Sequence, residues 1–369
     1  MNPKFLLPLL FMALAAFSAE VSFSGKLLAD VENNLDTSWD SHTSANQDLS
    51  LTTRVEFGEK TAVELYMASY STVLDTTDST RTPSIVRGAE PGRSAKFSDA
   101  DSRWSGLLFD GIQFQWEFSR QAKFLIGDMT WSAGKTSYYG YNADEYGSIM
   151  GETTVRGLGF DLGGQGQIYL GAPDANNQAL WGFAGYTFGM IDHTNEKLSI
   201  RLVGDLVFKN GGRNNRWTFG ADGDYSRSYT LLDYGLHSAI GFIPYSNHMT
   251  YTFLVEPSIR YQKFTLGGTF YTALLADEDS LITEQTSIPE ESFLYVEPGW
   301  IFHPKFSMGL GGEYHDPSSS IDDDEYFACT PTFYLYPSEE MTLTLWGQYR
   351  WNIGAHDFMS FGVEGAVEF

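Results

Sequence analysis

Apolar and polar residues alternate with a period of two along most of this chain. Val21, Phe23, Gly25, Leu27 and Ala29 fall on one side, with Ser22, Ser24, Lys26 and Asp30 on the other. Leu49, Leu51, Val55 and Phe57 alternate with Ser50, Thr52, Arg54 and Glu56, and Ile112, Phe114, Trp116 and Phe118 with Gln113, Gln115 and Glu117. The pattern returns at Leu198–Phe208, Tyr251–Ile259 and Leu343–Trp351, and it closes the sequence at Phe361, Val363, Gly365, Val367 and Phe369. Successive residues of a strand point to opposite faces, so each segment predicts a β-strand with one apolar and one polar face. Helical spacing is nowhere sustained.

The connections have their own rhythm. Tight ones fall at 58–60, 119–123, 163–166, 192–197, 226–228, 261–263, 303–305 and 337–340. Between them lie long polar ones, notably 33–47, 75–103, 132–151, 277–291 and 315–325. Short turns at one rim and long loops at the other are how a transmembrane barrel is organised. The prediction is an all-β, transmembrane, antiparallel up-and-down β-barrel of about 18 strands. Sixteen is the alternative, because alternation is weak over 166–190 and 217–242. Pro257, Pro298 and Pro331 conflict locally with this map, since proline gives no N–H to a ladder, and they call for bulges or irregularities. A weak repeat supports a hairpin-built chain: Val255-Glu256-Pro257 recurs as Val296-Glu297-Pro298, each followed by a similar lysine-led segment at Lys263 and Lys305.

Composition then sharpens the picture. Residues 1–18 carry one positive charge, an apolar run and a small-x-small end at Ala16-Phe17-Ser18, which predicts a signal peptide. Residues 19–369 are left as one barrel domain, exported through the periplasm. The mean hydropathy of -0.23 does not argue against a membrane protein, because only alternate barrel residues meet lipid. With 47 acidic against 23 basic residues the formal charge is -24, which excludes a nucleic-acid partner that needs concentrated Lys and Arg. Aromatics at 15 % together with 37 glycines suit interfacial girdles and closely packed, tilted strands. Cys329 is the single cysteine, so no intrachain disulfide is possible.

The signal segment, alternating strands, unequal connections and terminal Phe369 together resemble a Gram-negative outer-membrane barrel of porin type. The resemblance covers the whole mature chain, rests on architecture and singles out no family. It implies a location in the cell outer membrane, lipid and lipopolysaccharide as surroundings, and recognition by the barrel assembly machinery through Phe361, Val363, Val367 and Phe369. A homo-oligomer is compatible with it, although no residue selects trimer over monomer.

If the apolar faces meet lipid, then Lys26, Arg54, Glu56, Glu64, Arg201, Asp205, Glu256, Arg260, Glu297, Arg350 and Glu364 point inward. Lys or Arg at mid-bilayer on the lipid face costs about 2–4 kcal/mol, which fixes this polarity. These residues are the pore-lining candidates, acting either as a transverse field or as ion pairs that hold the wall. Trp131, Tyr138, Tyr139, Tyr141 and Tyr146 mark the third long connection as a candidate constriction or sugar-contact loop, with an interfacial girdle as the plainer reading. The acidic runs 277–279 and 322–325 lack metal-ligand spacing, so neither metal nor cofactor is expected. His237 is the one histidine on a strand segment, and its neighbour Ser238 points the other way, so no Ser–His pair forms between them. The expected function is a porin-like channel for passive diffusion of small hydrophilic solutes. A saccharide-selective channel, or a non-conducting barrel with extracellular binding loops, is the alternative; a membrane lipase is the remote enzymatic one.

Overall fold

The computed structural model describes residues 20–35, 41–75, 108–132, 152–163, 165–172, 179–209, 216–245, 248–275, 291–316, 325–353 and 357–369. The first strands are β1 (Glu20–Leu35), β2 (Ser41–Glu56), β3 (Thr61–Asp75), β4 (Leu108–Ser119), β5 (Ala122–Ser132) and β6 (Glu152–Asp161). Next come β7 (Gly166–Ala172), β8 (Ala179–His193), β9 (Glu196–Lys209), β10 (Arg216–Ser228), β11 (Leu232–Tyr245) and β12 (His248–Tyr261). The last are β13 (Phe264–Leu275), β14 (Glu291–His303), β15 (Phe306–Asp316), β16 (Tyr326–Leu335), β17 (Met341–Asn352) and β18 (Phe358–Glu368). Every strand pairs antiparallel with its chain neighbours, and β1 also pairs with β18, so the 18-stranded sheet closes on itself. Closure removes both sheet edges.

The seam is regular. Its register runs from Lys26 opposite Glu368 to Leu35 opposite Met359. Beyond it the Gly25 N–H donates to the Phe369 carbonyl at 2.8 Å and the Phe369 N–H to the Gly25 carbonyl at 3.0 Å. The count is therefore eighteen, and the doubtful stretches 166–190 and 217–242 are ordinary ladders of β7, β8, β10 and β11. The signal-peptide segment lies outside the described residues.

Two boundaries differ from the sequence reading. β1 and β2 run on through most of the 33–47 stretch, and Asn33 Nδ2 donates to Thr43 Oγ1 across them at 2.7 Å. Apolar alternation stops there because nothing apolar needs covering, whereas backbone pairing continues. The turn expected at 226–228 falls at 229–231 instead. Ser226 and Ser228 are strand residues facing Gly235 and Asp233 of β11, and the Tyr229 N–H closes the turn on the Leu232 carbonyl at 2.7 Å.

One face carries the exposed apolar belt, with Phe23, Ile112, Trp116, Leu158, Ile168, Leu202, Phe270, Leu294, Trp300 and Phe361 among its members. Large apolar side chains left exposed around a closed sheet call for an apolar solvent. Leu202 sits midway along β9 on this belt. Leu202→Arg is expected to lower folding stability by about 2–4 kcal/mol, measured by denaturant unfolding in detergent micelles. An unchanged midpoint would place that face in water.

The three prolines share one solution. Pro257 faces Leu236 of β11, but the β12–β13 ladder skips from Val255–Phe270 to Ser258–Gly267. Pro298 faces Leu266, while the β14–β15 ladder skips from Val296–Gly312 to Gly299–Gly309. Pro331 faces Leu310, while the β16–β17 ladder skips from Cys329–Tyr349 to Thr332–Trp346. In each strand the chain stays in register with its predecessor and breaks with its successor for two residues. A missing N–H is thus confined to one side of an otherwise continuous wall.

The opposite, inner face is not uniformly polar. Leu125, Met129, Tyr169, Val203, Leu254, Tyr271, Phe293 and Tyr295 form one buried cluster. Their chain neighbours Ile126, Leu202, Phe270 and Leu294 are exposed on the belt, which puts the cluster inside. Tyr271, Phe293, Met129 and Leu254 are its largest fully buried side chains. Several lie within a few residues of the long-connection ends of their strands.

Candidate functional site: the inner face of the barrel

Alternation puts the charged residues of many strands on one side, and the ladder register then decides which of them meet. Arg54 of β2 faces Glu64 of β3. Its Nη1 donates to Glu64 at 2.5 Å and to Gln115 Oε1 at 3.2 Å, and its Nε to Glu56 at 2.7 Å. Tyr66 Oη donates to the other Glu64 oxygen at 2.6 Å, and Gln115 donates to Gln113 at 2.7 Å. This network spans three strands and holds one guanidinium between two carboxylates. Charge-assisted pairs of this kind are stronger than neutral hydrogen bonds and fix side-chain geometry.

A second pair lies on β9 and β10. Arg201 faces Asp222, donating from Nε to both carboxylate oxygens at 3.1 and 3.0 Å and from Nη2 to Oδ2 at 2.5 Å. Two residues further along β10, Asp224 faces His237 of β11, with Nδ1 and Oδ1 3.0 Å apart. Glu256 of β12 faces His237 from the other side. His237 is buried, and its Nε2 has no hydrogen-bond partner. A base that activates a serine holds the hydroxyl on that nitrogen, and among the described residues none donates to it.

A third group lies on β14 to β17. Tyr295 Oη donates to Glu297 at 2.7 Å, and Tyr326 Oη donates to Glu313 at 2.7 Å. The Arg350 guanidinium stacks 3.6 Å over the Tyr326 ring, and its Nε donates to Asn352 at 2.5 Å. Planar guanidinium on an aromatic face is an arrangement lysine cannot reproduce.

On β5, Gly127 has a φ of +119° and the β4–β5 ladder ends at its pairing with Gln113. The Asp128 carboxylate fills the place of the next rung. It accepts from the Ile112 N–H at 2.8 Å and takes Arg156 Nε at 2.7 Å and Nη2 at 3.1 Å.

Of the residues singled out in the sequence, Arg54, Glu56 and Glu64 are brought together, and the others are distributed around the ring. Lys26 faces Glu368, Arg260 faces Asp233, and Glu364 faces Asp30. Asp205 lies in β9 opposite Thr218 and Phe183, but its side chain is outside the described residues. So is that of Trp131 in β5, and Tyr138, Tyr139, Tyr141 and Tyr146 fall in the undescribed stretch 133–151. Sequence reasoning missed Asp30, Asp128, Asp222, Glu313 and Tyr326. The signal for Asp30 and Asp222 was present, since each occupies a polar-face position, but their partners lie on other strands.

No family model matches the chain, and no curated protein matches its sequence. Solved structures do match. OpdQ of Pseudomonas aeruginosa superposes with a TM-score of 0.58 at 9 % identity, covering 95 % of this chain and 99 % of that one. OccAB4 of Acinetobacter baumannii gives 0.53 at 9 % identity over 95 % and 98 %. A BenF-like porin of Pseudomonas fluorescens Pf-5 also gives 0.53 at 9 %, over 95 % and 99 %. The chain has the fold of the porin-type outer-membrane β-barrels. At such identities the likeness is one of fold, and the side chains on the inner face are this chain's own.

Proposed function

We propose that this protein is an outer-membrane channel for the passive diffusion of small hydrophilic solutes. One observation carries the reading: a closed 18-stranded barrel presents an exposed apolar belt on one face and hydrogen-bonded charges on the other. A wall that is apolar outside and charged inside separates lipid from water, which is the requirement for a diffusion path. Lys26, Arg54, Glu56, Glu64, Arg201, Asp205, Glu256, Arg260, Glu297, Arg350 and Glu364 are assigned as lining residues. No step of covalent chemistry is involved, and flux follows the solute gradient. Lipid and lipopolysaccharide surround the belt, and Phe361, Val363, Val367 and Phe369 of the closing strand present the apolar pattern read during assembly.

Planar-bilayer recording of the purified protein tests the reading. Stepwise, ohmic conductance on insertion is expected. Silence at all voltages from protein that still migrates as a folded, heat-modifiable barrel would leave a non-conducting barrel with binding loops.

A further inference from the structure

The ladder treats the two signs of charge differently. Most described strand cations lie directly across from a carboxylate: Lys26 from Glu368, Arg54 from Glu64, Lys123 from Glu117 and Asp161, Arg156 from Asp128, Lys197 from Asp192, Arg201 from Asp222 and Arg260 from Asp233, with Arg227 opposite Glu196 on the side of Trp217 and Phe219. For Arg54 and Arg201 the opposition becomes contact, with ion pairs at 2.5 Å, and Arg156 holds Asp128 at 2.7 Å. Three strand cations lack a facing carboxylate: Lys209 and Arg216, at strand ends, face Ala179 and Val207, and the Arg350 guanidinium lies on the Tyr326 ring and Asn352. The carboxylates do not show the reciprocal pattern. At the barrel seam Asp30 of β1 faces Glu364 of β18, acid against acid, and Asn46 of β2 donates to Asp30 at 3.1 Å. With 47 acidic against 23 basic residues in the chain, pairing cations one for one leaves the excess negative.

We propose that the channel selects positively charged solutes, because ion pairs hold the lumenal cations Arg54 and Arg201 on carboxylates, while Asp30 and Glu364 face each other across the seam and set the field. The inference rests on the channel reading above and names the class of solute that it admits. A fixed cation held on a carboxylate contributes a dipole that decays quickly with distance, whereas two carboxylates side by side contribute a net field across the lumen. Rings of Asp and Glu favour cations for this reason. Asp30 and Glu364 are adjacent across one seam, so a passing cation meets both together. Lys26 lies on the same face, two steps of alternation further toward the short-turn rim, where its ladder partner is Glu368 and its charge also reaches Glu364.

The full-length protein in a planar bilayer, under a KCl gradient, decides the matter through its reversal potential. Wild type is expected to pass K⁺ over Cl⁻ by at least about threefold at low salt, with the preference shrinking at 1 M KCl as the field is screened. Asp30→Asn/Glu364→Gln is expected to lower that preference at least about twofold while leaving single-channel conductance measurable. Glu117→Gln, which removes an acid facing a cation, is the comparison and should shift selectivity less. Conductance with no preference, or with preference for Cl⁻, overturns the inference and leaves the channel reading intact. Absence of conductance overturns the channel reading itself. If the double variant does not assemble, the salt dependence of wild-type selectivity decides alone, and a preference unaltered by salt would refute a field origin.

Discussion

Gly127→Val is expected to abolish the folded barrel. Gly127 sits in β5 with a φ of +119°, a conformation that residues bearing a Cβ rarely adopt. A Cβ built there would land on the carbonyl oxygen of Ile112 in β4, a backbone atom that cannot step aside without breaking the wall. The strain and the clash act at the same place, where the β4–β5 ladder ends and Asp128 takes over as acceptor for the Ile112 N–H. Loss of the heat-modifiable species on unboiled gels, with the protein recovered as aggregate, is the expected readout. Gly58→Ala provides the contrast. Its φ is +71° but nothing lies within 4 Å of the added Cβ, so conformational strain acts alone, at about 1–2 kcal/mol. That variant should assemble with a modestly lower denaturation midpoint. A Gly127→Val barrel with unchanged migration would show that the wall can open at this point.

Arg201→Met is expected to destabilise the barrel by about 3 kcal/mol, while Arg201→Met/Asp222→Leu recovers most of the loss. Asp222 is 7 % exposed and Arg201 22 %, and the guanidinium donates to both carboxylate oxygens. Removing the cation strands a buried anion, whose desolvation then has no compensation. Removing both replaces a pair whose net worth is small with apolar contacts beside Val203, which lies on the same face. Arg201→Lys should rescue only partly, because an ammonium cannot reproduce the forked geometry. A double-mutant cycle by denaturant unfolding in micelles measures the coupling. Equal losses in the single and double variants would mean that the pair is not the source of the effect.

Much of the wall was legible as a string. The alternation Ile112, Phe114, Trp116, Phe118 against Gln113, Gln115, Glu117 could belong only to a strand with two different surroundings. The recurrence of Val-Glu-Pro was legible too, and the structure shows what it encodes. Glu256 and Glu297 stand on the inner face of alternate strands, each beside a proline that breaks the ladder with the next strand. The prolines seemed to conflict with strand structure because a single sequence cannot show that pairing survives on one side. The inner apolar cluster was less visible. Leu254 and Val203 occupy positions that alternation assigns to the polar face, and only the closed geometry shows that both join one buried cluster there.

The sequence by itself determined that the chain forms strands, that each strand has one apolar face, and that short and long connections alternate. Those are local properties, set by a two-residue period and by turn composition, and they require no knowledge of partners. Tertiary structure alone decided that Asp30 meets Glu364 across the seam, that Arg201 meets Asp222 and Arg54 meets Glu64. A side chain's face follows from its own position, but its neighbour follows from the register between two segments. For β1 and β18 those segments lie at opposite ends of the chain, and closing the barrel is what brings their carboxylates face to face.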